Sequence, residues 1–146
     1  MLKQIFRLVL YFFGSIFKTD NLAQKYPISV KAIITDQDRI LCLRNDRGEW
    51  DLPGGKINSD EQPEFTLTRE VREETGLDIS NLELLKAFNI KFNSIDVIVV
   101  LYKATISSDN AINISFEHNE YNFFTKEEFI NLNINYDYNQ LVKVFF

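Results

Sequence analysis

The amino-acid sequence predicts an α/β fold, an α/β/α sandwich built around a mixed β-sheet, and two observations support this prediction. Apolar runs rich in β-branched residues recur along the chain between short polar stretches, which is typical of strands. Helical signals follow such runs in the middle of the chain and again near its C-terminus. Helices that follow strands can cover both faces of one sheet, and this gives a sandwich of three layers.

The predicted strands form two pairs and one further strand. The polar stretch Asp36-Gln37-Asp38 separates the first two apolar runs and predicts a hairpin between them. The fourth run is apolar almost throughout, which favours a central position in the sheet. The predicted strands are residues 28–35, 39–44, 82–92, 95–106 and 116–124.

One amphipathic helix is predicted in the middle of the chain, with signals at both of its ends. Ser59 or Asp60 can cap its N-terminus, and Pro63 is tolerated in its first turn. Gly76 predicts its C-terminal end, because glycine readily adopts the left-handed conformation that commonly terminates helices.

Two further helices are predicted near the C-terminus. Thr125 and Glu128 have the spacing of a capping box, which predicts a short helix that begins after Thr125 and continues to Leu132. Residues 137–146 are predicted to form the second of these helices.

Residues 1–18 are predicted to form a separate segment, an added N-terminal amphipathic helix, and residues 19–146 are predicted to form one domain. Apolar residues recur in the segment at helical spacing, and Lys3, Arg7 and Lys18 make it basic. Its apolar run is too short to span a bilayer, and Arg7 interrupts it. Three hypotheses stay open: packing on the domain or on a second subunit of a homodimer, peripheral contact with an anionic membrane surface, or cleavage as a signal peptide.

Length, net charge and cysteine content limit the classes of protein to which this chain can belong. A chain of 146 residues fits a single domain, and its net charge of −5 argues against nucleic acid as a partner. The single cysteine, Cys42, excludes an internal disulfide and fits a reducing compartment, so a cytoplasmic location is expected. Cys42 lies in an apolar run, which favours a small core residue over a nucleophile.

The predicted central helix concentrates carboxylates on one side. Glu70 is three residues from Glu73 and four from Glu74, and side chains at these spacings are neighbours on a helix surface. Like charges at these spacings repel, so the cluster gains no stability of its own. Hard divalent cations with oxygen ligands, above all Mg²⁺, are the usual reason for such a cluster.

The stretch from Gly55 to Leu77 resembles the Nudix box of the Nudix hydrolase family. Residues 50–55 before the box and 117–121 after it also resemble that family, and the whole resemblance covers about residues 27–132. It implies a Nudix-type α/β/α sandwich. Every fixed position of the box is filled, by Gly55, Glu61, Arg69, Glu70, Val71, Glu73, Glu74, Gly76 and Leu77.

The resemblance implies hydrolysis of a nucleoside diphosphate linked to another group, with Mg²⁺ or Mn²⁺ as cofactor and a small nucleotide as the substrate. By resemblance, Glu74 and Glu70 are the primary metal ligands, with Glu73 beside them, and the main-chain carbonyl of Gly55 is a further ligand. The proton of the attacking water is accepted either by Glu70 or by a glutamate of the 117–120 loop.

We expect the remaining candidate site residues to have supporting roles. Arg69 precedes Glu73 by four residues and can orient its carboxylate. Glu61 is expected to organise the loop against the helix rather than to bind metal, and Gly54 permits a backbone conformation that a side chain would forbid. Glu117 and Glu120 are candidates from the later loop.

The main indication of substrate preference is that sequence signatures typical of particular groups of relatives are absent. The proline that ADP-ribose-cleaving relatives often carry beyond the box is missing, and the region has Lys91-Phe92-Asn93-Ser94 instead. The expectation is a nucleoside triphosphate pyrophosphohydrolase of the kind that sanitises the nucleotide pool. The alternatives are an ADP-ribose or nucleotide-sugar pyrophosphatase, and a nucleotide-sensing module that does not cleave its ligand.

Overall fold

A computed structural model describes residues 26–92, 94–132, 134 and 139–145. The predicted N-terminal helix, residues 1–18, lies outside the described residues. The elements, in chain order, are β1 Ile28–Asp36, β2 Arg39–Asn45, β3 Trp50–Asp51, α1 Pro63–Thr75, β4 Ile79–Phe92, β5 Ile95–Ile106, β6 His118–Thr125, α2 Lys126–Ile130 and α3 Asn139–Phe145.

The strands form one mixed sheet with the order β3-β2-β1-β5-β4, and β6 also pairs with β2. β1 and β5 run parallel, with Ile28 opposite Ile98 and Thr35 opposite Thr105, whereas the pairings of β4 with β5 and of β2 with β6 are antiparallel. The predicted central position of β5 is confirmed, because it lies between β1 and β4.

The predicted hairpin between β1 and β2 is confirmed and has a tight turn. Gln37 and Asp38 both have positive φ angles, 45° and 62°. Two consecutive residues with positive φ are the hallmark of the turn that matches the twist of the flanking strands. Thr35 faces Ile40 and Asp36 faces Arg39 across this turn.

Two separate apolar clusters lie on opposite faces of the sheet, and this confirms the three-layered sandwich. Alternate residues of one strand enter different clusters, as the two-residue period of a strand requires. The α1 cluster contains Val30, Ala32, Ile34, Leu41, Leu67, Val71, Leu77, Ile79, Tyr102 and Ala104. The C-terminal cluster, with side chains of α2 and α3, contains Ile33, Ile40, Cys42, Leu52, Val99, Leu101, Phe129 and Val142.

The N-terminus of α1 differs from the prediction. The capping residue is Gln62 rather than Ser59 or Asp60, and no side chain bonds to the first turn as a cap. Pro63 occupies the first turn of the helix and has no N–H group to be capped, which lowers the need for a polar side chain there. The predicted end at Gly76 is confirmed by its left-handed φ of 73°.

Some element boundaries also differ from the prediction near the C-terminus. The capping box of Thr125 and Glu128 is present, but α2 ends at Ile130 rather than at Leu132. β6 begins at His118 rather than at Phe116, because residues 116–117 form a turn. Cys42 is fully buried, as predicted for a core residue. Within the described part of the chain, no helix has the length and apolar character needed to cross a membrane.

Substitution of Leu67 tests the packing of α1 on the sheet. Leu67 is fully buried in the α1 cluster. We expect Leu67→Ala to lower the free energy of unfolding by about 2–5 kcal/mol, because it removes apolar contacts and leaves a cavity. Urea denaturation followed by circular dichroism measures this change. Leu84→Ala is the matched control, because Leu84 is 59% exposed; an equal loss in both variants would contradict the packing.

Candidate active site

A short loop after β3 is held between β1 and α1. The N–H of Val30 donates to the carbonyl of Gly55 at 2.8 Å, and the N–H of Ala32 donates to the carbonyl of Pro53 at 3.0 Å. Gly54 lies so close to β1 that a side chain there would overlap the carbonyl oxygen of Val30, and its φ is 126°. Glycine is therefore required at this position for the loop to run beneath α1.

Glu74 is the most buried carboxylate of the predicted cluster, with 8% of the residue exposed. Its Oε2 accepts a hydrogen bond from the N–H of Gly54 at 2.8 Å. Burial raises the pKa of Glu74 to about 7, although the charge of Lys31 and the Gly54 N–H oppose this rise. The carboxyl group therefore titrates near neutral pH while it is held in a fixed position.

Glu70 and Glu73 have different environments from Glu74, and both contact Arg69. The carboxylate of Glu70 lies directly over Gly55, where an added Cβ would overlap it. Nη1 of Arg69 lies 2.9 Å from Oε1 of Glu70 and 3.0 Å from Oε2 of Glu73. The Glu73 side chain is 58% exposed, so it is the most accessible of the three glutamates.

Arg69 is fixed by Glu61 at the start of the helix. Its Nε and Nη2 donate to the two carboxylate oxygens of Glu61, each at 2.9 Å. The hydroxyl of Thr66 also donates to Glu61 at 2.9 Å. The bond from Arg69 is the main reason that the pKa of Glu61 is lowered to about 2. This two-point contact holds the guanidinium plane in one orientation between the loop and the helix.

The three glutamates line one cavity of about 420 Å³. Its opposite wall comes from the segment before β6, which is tied to the end of α1. The N–H of Asn113 donates to the carbonyl of Thr75, and that of Ser115 donates to the carbonyl of Glu74, both at 2.9 Å. The residues that line the cavity are Glu70, Glu73, Glu74, Ser115, Phe116 and Glu117.

Two polar side-chain atoms near Glu74 are buried and have no hydrogen-bond partner within the described residues. They are the hydroxyl of Ser115, which lines the cavity, and Nδ1 of His118. The other ring nitrogen of His118, Nε2, lies 3.8 Å from Oε1 of Glu74. Burial lowers the pKa of His118, and the nearby charge of Lys31 lowers it further. A buried polar atom without a partner is costly, so both atoms would be stabilised by a polar partner if the surrounding side chains moved to admit one.

A buried lysine of β1 binds the loop that follows β3. Nζ of Lys31 donates to Oδ2 of Asp51 at 2.9 Å, to the carbonyl of Leu52 at 3.0 Å and to the carbonyl of Gly54 at 2.8 Å. Lys31 is only 9% exposed. The loop that holds Glu74 is thus bound to β1 through a charged side chain as well as through main-chain hydrogen bonds.

The structure brings some of the candidate residues together and leaves others apart. Glu117 lines the cavity. Glu120 pairs instead with Arg44 at 3.0 Å on the surface. The carbonyl of Gly55 accepts hydrogen bonds from the N–H of Val30 at 2.8 Å and from the hydroxyl of Ser29 at 3.2 Å, so its role as a metal ligand stays a prediction.

Four residues near the cavity or its loop were missed as site residues in the sequence: Lys31, Ser115, Phe116 and His118. Only Lys31 carries a sequence signal, because a charge inside the apolar run of β1 is unusual for a buried strand. The other three lie in the segment before β6 or at the first residue of β6, and no local pattern determines the course of this part of the chain.

The donor chemistry of the cavity fits a hard divalent cation. Glu70, Glu73, Glu74 and Ser115 line one cavity, and their side chains all carry oxygen atoms of the kind that hard cations prefer. Across the described residues, no three His, Cys, Asp or Glu side chains already converge as a metal-binding group. The guanidinium of Arg69 contacts both Glu70 and Glu73, so a cation bound by these carboxylates would compete with it.

The pKa of Glu74 has a consequence for stability. The pKa of Glu74 in the folded state is about 7, above the ordinary value of 4.5, so the fold favours the protonated carboxyl group. The contribution of this group to stability is fully present below about pH 4.5. This contribution is lost as pH rises through 7. In the absence of metal, we compare the free energy of unfolding of Glu74→Gln with that of the wild type. We expect this difference to grow in favour of the variant by on the order of 3 kcal/mol between pH 5 and pH 8. Urea denaturation in EDTA measures this difference, and a difference independent of pH would contradict the burial of Glu74.

Comparisons with known proteins assign the chain to a family. The family model for the NUDIX domain matches residues 25–145. Two similar curated relatives are an ADP-ribose pyrophosphatase of Bacillus subtilis (strain 168), with 31% identity over 86 residues, and an 8-oxo-dGTP diphosphatase of Proteus vulgaris, with 47% identity over 38 residues. These alignments cover 55% and 26% of this chain and 46% and 34% of the respective relative.

A match to a solved structure covers more of this chain than these two alignments do. The crystal structure of the MutT protein from Methanosarcina mazei Go1 has a TM-score of 0.70 and 28% sequence identity, and the match covers 82% of this chain and 92% of that chain. The family model includes both the helix that carries the glutamates and the strands that place the loop beneath it. This chain belongs to the Nudix family.

Proposed function

We propose that the chain is a metal-dependent enzyme that hydrolyses a pyrophosphate bond in nucleotides, with nucleoside triphosphates as the favoured substrates. The observation that supports this most strongly is the position of Glu70, Glu73 and Glu74 around one cavity, with Glu74 buried and held by Gly54. Members of the Nudix family generally use divalent metal ions. We propose Mg²⁺, or Mn²⁺ in its place, because both accept carboxylate oxygens.

A bound cation supplies charge neutralisation for the diphosphate and lowers the pKa of a coordinated water. The protein contributes the positions of the ligands. Glu74 offers a fixed carboxylate at the base of the cavity, Glu70 lies over the Gly55 backbone, and Glu73 stands at the accessible side. Most of the catalytic effect is then positioning and electrostatics, as in phosphoryl transfer generally.

Arg69 and Glu61 support this arrangement without needing to touch the substrate. Glu61 holds the guanidinium at two points, and the remaining nitrogen contacts Glu70 and Glu73. For the proton acceptor, we favour Glu70 or Glu117. Both line the cavity, whereas Glu120 pairs with Arg44 outside it.

The second candidate function is the cleavage of ADP-ribose or a nucleotide sugar. The relative in Bacillus subtilis named an ADP-ribose pyrophosphatase supports this candidate, and the relative in Proteus vulgaris named an 8-oxo-dGTP diphosphatase supports the triphosphate. A nucleotide-sensing module is the third candidate. No carboxylate of the box is missing here, which favours catalysis.

The domain that carries this activity is proposed to be residues 19–146, in the cytoplasm. Residues 1–18 lie outside the described residues, so their packing on the domain, on a second subunit or on a membrane surface rests on the sequence pattern of apolar and basic residues. A truncation that begins at residue 19 and keeps full hydrolytic activity would support a separate role for this segment.

Glu74→Gln tests the proposed function. We expect the variant to fold and to lose at least about 100-fold in turnover, because an uncharged amide is a poor ligand for a hard cation. The assay is hydrolysis with Mg²⁺ of nucleoside triphosphates, oxidised triphosphates, ADP-ribose, nucleotide sugars and dinucleoside polyphosphates, with products separated by chromatography. Glu83→Gln, at an exposed position of β4, is the control and is expected to keep wild-type activity.

The results of this panel separate the candidates. Release of pyrophosphate and a nucleoside monophosphate supports the triphosphate proposal, whereas cleavage of ADP-ribose alone supports the second candidate. Nucleotide binding measured by calorimetry, with no hydrolysis of any substrate, would contradict catalysis and support the sensing module.

Phe116 tests whether the cavity recognises a nucleobase. It lines the cavity next to Glu117 and is 95% exposed, so its ring is available for stacking. We expect Phe116→Ala to raise the KM for the nucleotide by about tenfold, because stacking of a base on an aromatic ring contributes about 1–3 kcal/mol. Phe116→Trp should keep a low KM. Inorganic tripolyphosphate, which has no base, is the control inhibitor, and equal weakening of its inhibition would contradict stacking.

A further inference from the structure

Lys31 lies at a position of β1 where the pattern of the strand requires an apolar side chain. Its neighbour on the same face, Ile33, packs into the C-terminal cluster, and residues 30–34 are all buried. Removing an ammonium group from water costs several kcal/mol unless its partners compensate. The partners of Lys31 therefore indicate what the residue contributes.

Three of those partners lie close together in the chain. An ammonium group has three N–H donors, and the stretch from Asp51 to Gly54 offers it three acceptors within 3.0 Å: a carboxylate and two main-chain carbonyls. The two carbonyls, of Leu52 and Gly54, are two residues apart and flank Pro53. A single charged group thus contacts the loop on both sides of Pro53.

Gly54 connects this loop to the carboxylate cluster. Its carbonyl accepts from Lys31 at 2.8 Å, and its N–H donates to Glu74 at 2.8 Å. Both peptide groups of Gly54 are therefore fixed, one by a cation and the other by a carboxylate. The contacts to Lys31 and to Glu74 therefore act on adjacent peptide groups of one loop.

We propose that Lys31 is a positioning residue of the active site. Its ammonium group sets the conformation of the loop from Asp51 to Gly54, and the loop in turn holds the carboxylate of Glu74 in the orientation needed to bind the metal. The part that concerns the metal rests on the proposed function, whereas the part that concerns the loop does not.

Lys31→Met tests the proposal with two measurements that do not depend on turnover. The first is hydrogen exchange of the Gly54 amide, followed by nuclear magnetic resonance in the metal-free protein. The second is the Kd for Mn²⁺, from electron paramagnetic resonance of the unbound ion. We expect Gly54 to exchange at least about tenfold faster, because its bond to Glu74 loosens, and the Kd to rise by about 10–100-fold, as is typical for residues that orient metal ligands.

Turnover provides a third readout that a purely structural role would not produce. At saturating metal, we expect the KM of the substrate to change by less than about threefold in Lys31→Met, since the substitution acts on the metal ligand. At limiting metal, the apparent kcat should fall in proportion to the weaker Mn²⁺ binding.

Three variants control for loss of charge and for loss of fold. Lys91→Met removes an exposed lysine, 3.6 Å from Asp96, and should leave both measurements unchanged. Asp51→Asn removes the ion pair but keeps an oxygen acceptor and both carbonyl contacts of Lys31, so it should change the Mn²⁺ affinity by less than Lys31→Met does. Where Lys31→Met does not fold, Lys31→Gln replaces it, because its amide still donates hydrogen bonds.

The proposal is overturned if the folded Lys31 variant keeps both the Gly54 exchange rate and the Mn²⁺ affinity within about twofold of the wild type. It is equally overturned if Lys91→Met produces the same losses, because the effect would then be one of net charge. A wild type that binds no Mn²⁺ and hydrolyses no nucleotide would contradict the proposed function. The exchange rate of the Gly54 amide would still decide the role of Lys31 in the loop.

Discussion

The contact between the N–H of Gly54 and the buried carboxylate of Glu74 is the interaction on which the rest of the site depends. It joins the loop after β3 to the last turn of α1, two segments that are twenty residues apart in sequence. The loop can reach the helix only because Gly54 has no side chain to collide with β1. An unpaired carboxylate at this depth would be costly, and the hydrogen bond from Gly54 and the charge of Lys31 both reduce that cost.

The sheet and the helix divide three similar glutamates into three different environments. Glu74 is buried and bonded to the backbone, Glu70 lies over Gly55 and beside Arg69, and the Glu73 side chain is more than half exposed. Helical spacing alone makes these residues neighbours and gives them no individual roles. Their differences come from the loops and side chains around the end of α1, which give each of the mutually repelling carboxylates its own environment.

The sequence predicted the parts of the fold that depend on local pattern. The strands other than β3, the capping box at Thr125 and the end of α1 at Gly76 follow from periodicity and from the conformational preferences of single residues. The start of α1 was predicted wrongly, since Gln62 rather than Ser59 or Asp60 is the capping residue. Glu61, next to it, is engaged by Arg69, a tertiary contact between residues eight apart that no capping pattern includes.

The carboxylate cluster was visible in the sequence because its members share one helix, but the opposite wall of the cavity was not. Ser115 and Phe116 reach the cavity through main-chain hydrogen bonds between the segment before β6 and the end of α1. Main-chain bonds of this kind have no sequence signature. Lys31 could have been noticed as a charge within an apolar strand, but its acceptors, two of them carbonyl oxygens, are evident only in three dimensions.

The most direct test of the central claim is to locate the metal. Crystals of the full chain grown with Mn²⁺ and a non-hydrolysable nucleotide would be measured at the manganese absorption edge, where anomalous scattering identifies the ion. We expect an anomalous peak in the cavity lined by Glu70, Glu73 and Glu74, with a carboxylate oxygen of Glu74 at coordination distance. A peak elsewhere, or a nucleotide bound in the cavity with no metal beside Glu74, would contradict this expectation.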